Sequence, residues 1–114
     1  MGVVYYANYL VWFEIARTDW LRDTGWTYAA MEDEGLALPV IEAQCSYRQS
    51  AKYDDEIEVR TRASRPSPAR IQFDYEIVRR IDGAPIATGH TVHATIDRRG
   101  RPVRIPERVR GLFT

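Results

Sequence analysis

The sequence predicts an α+β domain in which an antiparallel sheet wraps one long helix. Three observations carry this. Apolar residues recur at helical spacing through the first third of the chain. From Pro39 onward the period switches to two. Clusters of turn-forming residues then separate the period-two runs from one another.

The first helix rests on Tyr9, Phe13, Ala16 and Trp20, an i, i+4, i+7, i+11 stripe widened by Leu10 and Trp12. Glu14, Arg17, Thr18 and Arg22 lie off the stripe. Asn8 is the expected N-cap and Gly25 the stop. A shorter helix follows, from a Thr27 cap through Tyr28 and Met31 to Gly35. The first strand alternates Ile41, Ala43, Cys45 and Tyr47 with polar residues. The second alternates Ile57, Val59, Thr61 and Ala63, and the third Ile71, Phe73, Tyr75 and Ile77. A long last strand is expected to bury Ile86, Thr88, His90, Val92, Ala94 and Ile96. Four strands with one apolar face each describe a sheet covered on one side. The turns fall at Tyr53-Asp54-Asp55, Arg65-Pro66-Ser67-Pro68 and Asp82-Gly83. After Asp97 the Arg-rich tail, with Pro102 and Pro106, reads as irregular or as a short helical end. A four-stranded sheet around so apolar a helix leaves an open edge, to be covered by another chain or by a segment upstream of Met1.

Length and composition bound the rest. At 114 residues the chain makes one domain, 1–114, and a 45% hydrophobic fraction suffices for a core. Sixteen basic and sixteen acidic residues cancel, which argues against a general nucleic-acid binder. All the basic residues except Lys52 are Arg, which suits anion recognition and equally fits coding bias. The single Cys45 excludes an intramolecular disulfide and fits a reducing compartment. No Cys/His spacing suggests zinc, no cofactor is called for, and the apolar opening from Val3 to Phe13 is too short to span a membrane. A cytoplasmic protein is expected.

The segment GVVYYANYLVWFEIARTDWL, Gly2 to Leu21, resembles the helix-start motif of hotdog-fold acyl-CoA thioesterases, the group of 4-hydroxybenzoyl-CoA thioesterase. The likeness runs along essentially the whole chain, to ATGHTVHATID in the last strand. It implies a hotdog fold, pairing of protomers as a homodimer or homotetramer, and an acyl-CoA thioester bound near the helix N-terminus at the protomer boundary. It also implies that the Tyr6 amide polarises the thioester carbonyl, where unpaired N–H groups and the helix dipole suit an oxyanion. Gly2, Val3, Tyr5 and Asn8 surround that position as substrate-binding residues. The family's catalytic Asp stands three residues before the glycine that matches Gly2, a position before Met1. The His that many relatives carry is replaced by Tyr6. Either the start lies upstream or the chain is a degenerate binder.

Glu14 is the alternative catalytic carboxylate, eight residues after Tyr6, where another branch of hotdog thioesterases places a glutamate. Its azimuth is about 120° from the core stripe, toward a partner. It could equally be a surface charge beside Arg17. Arg65, Ser67 and Arg70 bracket a proline-rich tip suited to coenzyme A phosphates, or simply to a solvated turn. His90 and His93 are three apart on a strand and face opposite sides, so they make no metal pair. His90 is expected in the core, His93 on the outer face, and Cys45 as a structural thiol. Acyl-CoA hydrolysis is the leading function. A non-catalytic acyl-CoA or acyl-carrier-protein binding module is the alternative, and a hotdog hydratase lacks its usual His at the helix start.

Overall fold

The computed structural model describes residues 7–49, 51–52 and 54–113, with backbone alone for residues 7 and 8. Helix α1 spans Ala7–Thr24 and α2 spans Tyr28–Asp33. Strands follow at Val40–Tyr47 (β1), Ile57–Ser67 (β2), Arg70–Arg79 (β3) and Pro85–Ala94 (β4), before a 3₁₀ turn at Glu107–Leu112. Among the described residues the strands form one antiparallel sheet in the order β1-β4-β3-β2. Sequence-adjacent β2 and β3 pair as a hairpin, as do β3 and β4. The fold is the expected hotdog architecture, with α1 lying on one face of the sheet.

Helix α1 already includes Ala7, so Asn8 lies within its first turn instead of capping it. Gly25 does stop it: at φ 86° its N–H reaches the carbonyls of Leu21 and Arg22, both at 3.1 Å. Thr27 caps α2 as predicted, its hydroxyl accepting from the Ala30 amide at 3.1 Å.

The stripe on α1 meets the sheet ring against ring. Phe13 stacks on Tyr75, Trp20 stands edge-on to Phe73, and Phe113 of the tail packs against both Trp20 and Trp26. Phe13, Leu21, Ile71, Phe73, Ile77 and Ile86 are wholly buried. Each such side chain contributes roughly 1.5–3 kcal/mol by leaving water.

Registers identify the helix-facing residues. Ala63, Phe73 and Thr91 share one rung, and Thr61, Tyr75, Gly89 and Cys45 another. The predicted inward faces of β2 and β3 are therefore correct, and so is that of β1 at Ala43, Cys45 and Tyr47. Ile41 sits in an irregularity between Val40 and Glu42 and lines the opposite face with Glu42 and Val92.

Ile86, at the register shift of β4, is buried as expected, but from Thr88 onward the predicted face is wrong. Ala87, Gly89, Thr91 and His93 face the helix, whereas Thr88, His90 and Val92 face away. His93 is thus the core histidine, fully buried, and His90 lies on the outer face against Glu42, 2.8 Å from its carboxylate. Alternation of aliphatic residues misleads here because the helix-facing positions of β4 are small or polar. They make room for the Phe13 ring and for buried hydrogen bonds. Ile96 falls beyond β4, bridged to Ala37 and Pro102.

Candidate active site

Three elements converge at the N-terminal end of α1. Tyr9, buried in the first turns, lies 5.1 Å between ring centroids from Trp12 and 5.1 Å from Tyr47 at the end of β1. Its hydroxyl takes a long, 3.5 Å hydrogen bond from the Ala51 amide. The chain leaving β1 is held beside them. The Arg48 amide donates to the Ile86 carbonyl at 2.8 Å and the Gln49 side chain to Pro85 at 3.1 Å. An aromatic wall therefore stands beside the positive end of an 18-residue helix.

Acidic groups at this end are mostly committed. Arg79 is bridged to Asp55 and to Asp82, each at 3.3 Å. Asp55 is held below the usual carboxylate range, first by the Lys52 amide and then by Arg79. Asp82 is held down likewise by the Ala84 amide and Arg79. Both stay ionised, which suits them to fixing the β3–β4 turn and not to donating protons.

Glu14 differs. It is exposed on α1, and its carboxylate has no hydrogen bond or ion pair among the described residues. Arg17, the partner expected from i+3 spacing, turns inward and donates to the Tyr28 hydroxyl at 3.2 Å. Glu14 is left on the flank that also exposes Leu10, one helical turn before it.

The structure separates the other predicted site residues. Gly2, Val3, Tyr5 and Tyr6 lie outside the described residues, as does the side chain of Asn8. Arg65, Ser67 and Arg70 sit at the far end of α1, where the β2–β3 tip meets the tail. The Ile105 amide donates there to the Pro68 carbonyl at 2.8 Å. Strand β2 continues to Ser67, which pairs with Arg70, so the turn itself is Pro68-Ala69. The two guanidiniums open on different hollows: Arg65 beside Pro68 and Phe113, Arg70 beside Ile41, Gln72 and Val92. From Tyr9 to Trp20, eleven residues at ~1.5 Å each separate the two ends by about 16 Å. Sequence reasoning placed Tyr47 on the correct face but missed its role beside the helix start. That role depends on β1 being an edge strand.

Burial raises the Cys45 thiol above its ordinary range, against the Tyr47 hydrogen bond, so it is a poor thiolate. Among the described residues no group of three or more His, Cys, Asp or Glu is placed to hold a metal ion, and no helix is long and apolar enough to cross a membrane.

A long helix laid on one face of an antiparallel sheet is the architecture of the hotdog class. The chain belongs to the thioesterase-like superfamily, whose family model matches residues 1–113. It is 34% identical over 113 residues to acyl-CoA thioesterase YbgC of Haemophilus influenzae, covering 98% of this chain and 82% of that protein. It is 32% identical over 108 residues to a putative esterase of Aquifex aeolicus, covering 95% of this chain and 82% of the other. Among solved structures, a hypothetical protein from Thermus thermophilus superposes with a TM-score of 0.87 at 34% identity. That match covers 99% of this chain and 85% of the other.

Proposed function

We propose that the protein hydrolyses an acyl-CoA thioester to the free acid and coenzyme A. The observation that carries this reading is the family match along residues 1–113, joined to 34% identity with an acyl-CoA thioesterase. The Tyr6 amide at the start of α1 polarises the thioester carbonyl and holds the oxyanion, aided by the helix dipole. A carboxylate activates water or attacks the carbonyl. The resemblance assigns that task to an Asp three residues ahead of Gly2, and Glu14 is the candidate within the chain. Without that Asp the 114-residue chain is expected to be impaired.

A second copy of the chain completes the site. Leu10 and Tyr47 are 46% and 49% exposed beside the helix start, and among the described residues β1 is an edge strand there. Pairing two protomers on this side covers those residues and brings Glu14 to the seam, in a homodimer or a homotetramer. The hairpin residues Arg65, Ser67 and Arg70 receive coenzyme A phosphates. The lone thiol fits the reducing cytoplasm.

The deciding measurement is free-thiol release from short, medium and aromatic acyl-CoAs. The 114-residue chain is compared with a form extended upstream by the family's strand and Asp. Turnover by the extended form alone assigns catalysis to that Asp. Equal turnover assigns it to Glu14, and Glu14→Gln then abolishes the rate. Tight acyl-CoA binding without hydrolysis in both forms would replace the enzyme with a binding module.

A further inference from the structure

The chain is neutral, but its charges are sorted along its length. Residues 7–35, the two helices and their stops, carry six acids against Arg17 and Arg22. From Arg98 to Arg110 the tail carries six arginines against Glu107. Folding adds to that excess. The Ile105 amide donates to the Pro68 carbonyl at 2.8 Å and the Thr95 amide to that of Ala69 at 2.9 Å, which seats the tail beside the β2–β3 tip with Arg65 and Arg70. Arg65, Arg70, Arg98, Arg99, Arg101 and Arg104 are all exposed, and none is in an ion pair among the described residues.

These guanidiniums stand on fixed backbone. The Asp97 amide donates to the Arg101 carbonyl and the Gly100 amide to the Asp97 carbonyl, both at 3.0 Å, with Gly100 at φ 78°. The Asp97 carboxylate accepts from the amides of Arg99 at 2.9 Å and Arg101 at 3.0 Å, so this acid closes the turn. Glu34 is likewise taken, by Arg108. Like charges crowded at one end repel one another, and an anionic surface relieves that repulsion.

Distance says which anionic surface. Trp20 packs on Phe113, and Phe113 lines one hollow with Arg65. From Trp20 back to Tyr9 at the start of α1 is about 16 Å. The bonds of an extended pantetheine arm, at ~1.2 Å each, carry a thioester sulfur about 16 Å from its phosphorus. A phosphate at Arg65 or Arg70 therefore leaves the thioester at the start of α1, and whatever bears that phosphate is set down beside the tail.

We propose that this end of the protein docks an acidic carrier protein, which delivers its acyl group on a phosphopantetheine arm. The proposal rests on the reading of a thioester held at the start of α1. Arg65 and Arg70 meet the phosphate, which coenzyme A shares. Arg99, Arg101 and Arg104 meet carboxylates of the carrier's folded surface, which coenzyme A lacks. The acids of α1 and α2 repel the same surface, so the carrier settles on the tail and not on the helices.

The test is fluorescence anisotropy of labelled, phosphopantetheinylated acyl carrier protein titrated with the full chain at low and at physiological ionic strength. The expected result is saturable binding that salt weakens. The triple change Arg99→Gln, Arg101→Gln and Arg104→Gln should weaken it by about tenfold, the effect of a few exposed ion pairs. Arg62→Gln removes an exposed arginine from the outer sheet face and should bind as the wild type does. A thermal melt checks that the triple variant folds, and the single changes, each with a smaller loss, serve if it does not. No wild-type binding at low salt, undiminished binding by the tail variants, or an equal loss in Arg62→Gln would each overturn the dock. So would tail-dependent binding to phosphatidylglycerol vesicles without binding to the carrier protein. Hydrolysis enters none of these readouts. Acyl-CoA turnover without carrier binding overturns the dock and leaves the proposed activity, and carrier binding without turnover does the reverse.

Discussion

The ring of Phe13 lies flat on that of Tyr75, centroids 4.3 Å apart with 7° between planes, and Gly89 on the neighbouring strand makes the fit possible. A Cβ at Gly89 would stand 2.6 Å from Phe13 Cε2 and would also meet the Gln44 carbonyl. Neither a stacked ring nor the backbone of a paired strand gives way cheaply. Gly89→Ala should destabilise by about 1–3 kcal/mol, the ordinary range for overpacking, read as a lower urea midpoint at unchanged slope.

Glu14 carries an exposed carboxylate with no protein partner. Glu14→Gln should leave stability within about 0.5 kcal/mol, as for most surface changes. If Glu14 is the base, kcat in thiol release should fall by roughly 10²–10⁴. Unchanged kcat would leave the carboxylate upstream of Gly2 as the candidate.

Arg70 lies at the opposite end of α1 from the proposed oxyanion position. Coenzyme A separates its thiol from its nucleotide phosphates by the length of the pantetheine arm. An arginine that binds only phosphate acts equally in ground and transition states, so Arg70→Gln should raise KM several-fold at constant kcat. A pantetheine thioester lacking the nucleotide should show no change. A KM effect on both substrates would remove Arg70 from phosphate binding.

Tyr47 and Leu10 expose apolar surface on one side of the helix start. Tyr47→Glu would place a charge at the proposed protomer seam, where desolvation disfavours it. Sedimentation equilibrium should show a weaker dimer for this variant than for the wild type. A wild-type protein that is monomeric at every concentration would remove the seam.

Asp55 and Asp82 share Arg79. Their depressed values mean that the native pair adds stability above the ordinary carboxylate value of 3.8, lost as pH falls through the folded values. Arg79→Met should raise both carboxyl midpoints in a ¹³C titration and flatten the acid limb of the stability curve. Asp55 should keep part of its depression, because the Lys52 amide is its first cause.

Legibility in the sequence varied with how one-sided each element is. Phe73 and Tyr75 alternate with Gln72 and Asp74, and that contrast named the inner face of β3 unaided. On β4 the contrast fails: Val92 shares a face with Thr88 and His90, whereas Gly89, Thr91 and His93 face the helix. The core demanded a missing side chain at Gly89 and hydrogen-bonding groups at Thr91 and His93. Hydropathy has no symbol for either need. Arg17 misled in the same way, since i+3 spacing paired it with Glu14 and the packed structure turned it toward Tyr28 and Tyr75.

The sequence by itself determined the elements and the class. The 3.6-residue stripe on α1, the glycine stops, the period-two strands and the Gly2–Leu21 motif are local patterns that need no partner to be read. Tertiary structure decided which histidine is buried, which edge leaves Tyr47 half-open, and that Arg65 and Arg70 lie far from the helix start. Those outcomes depend on strand order and register, which join residues dozens of positions apart. A one-residue change of phase moves a side chain from the core to the opposite face of the sheet.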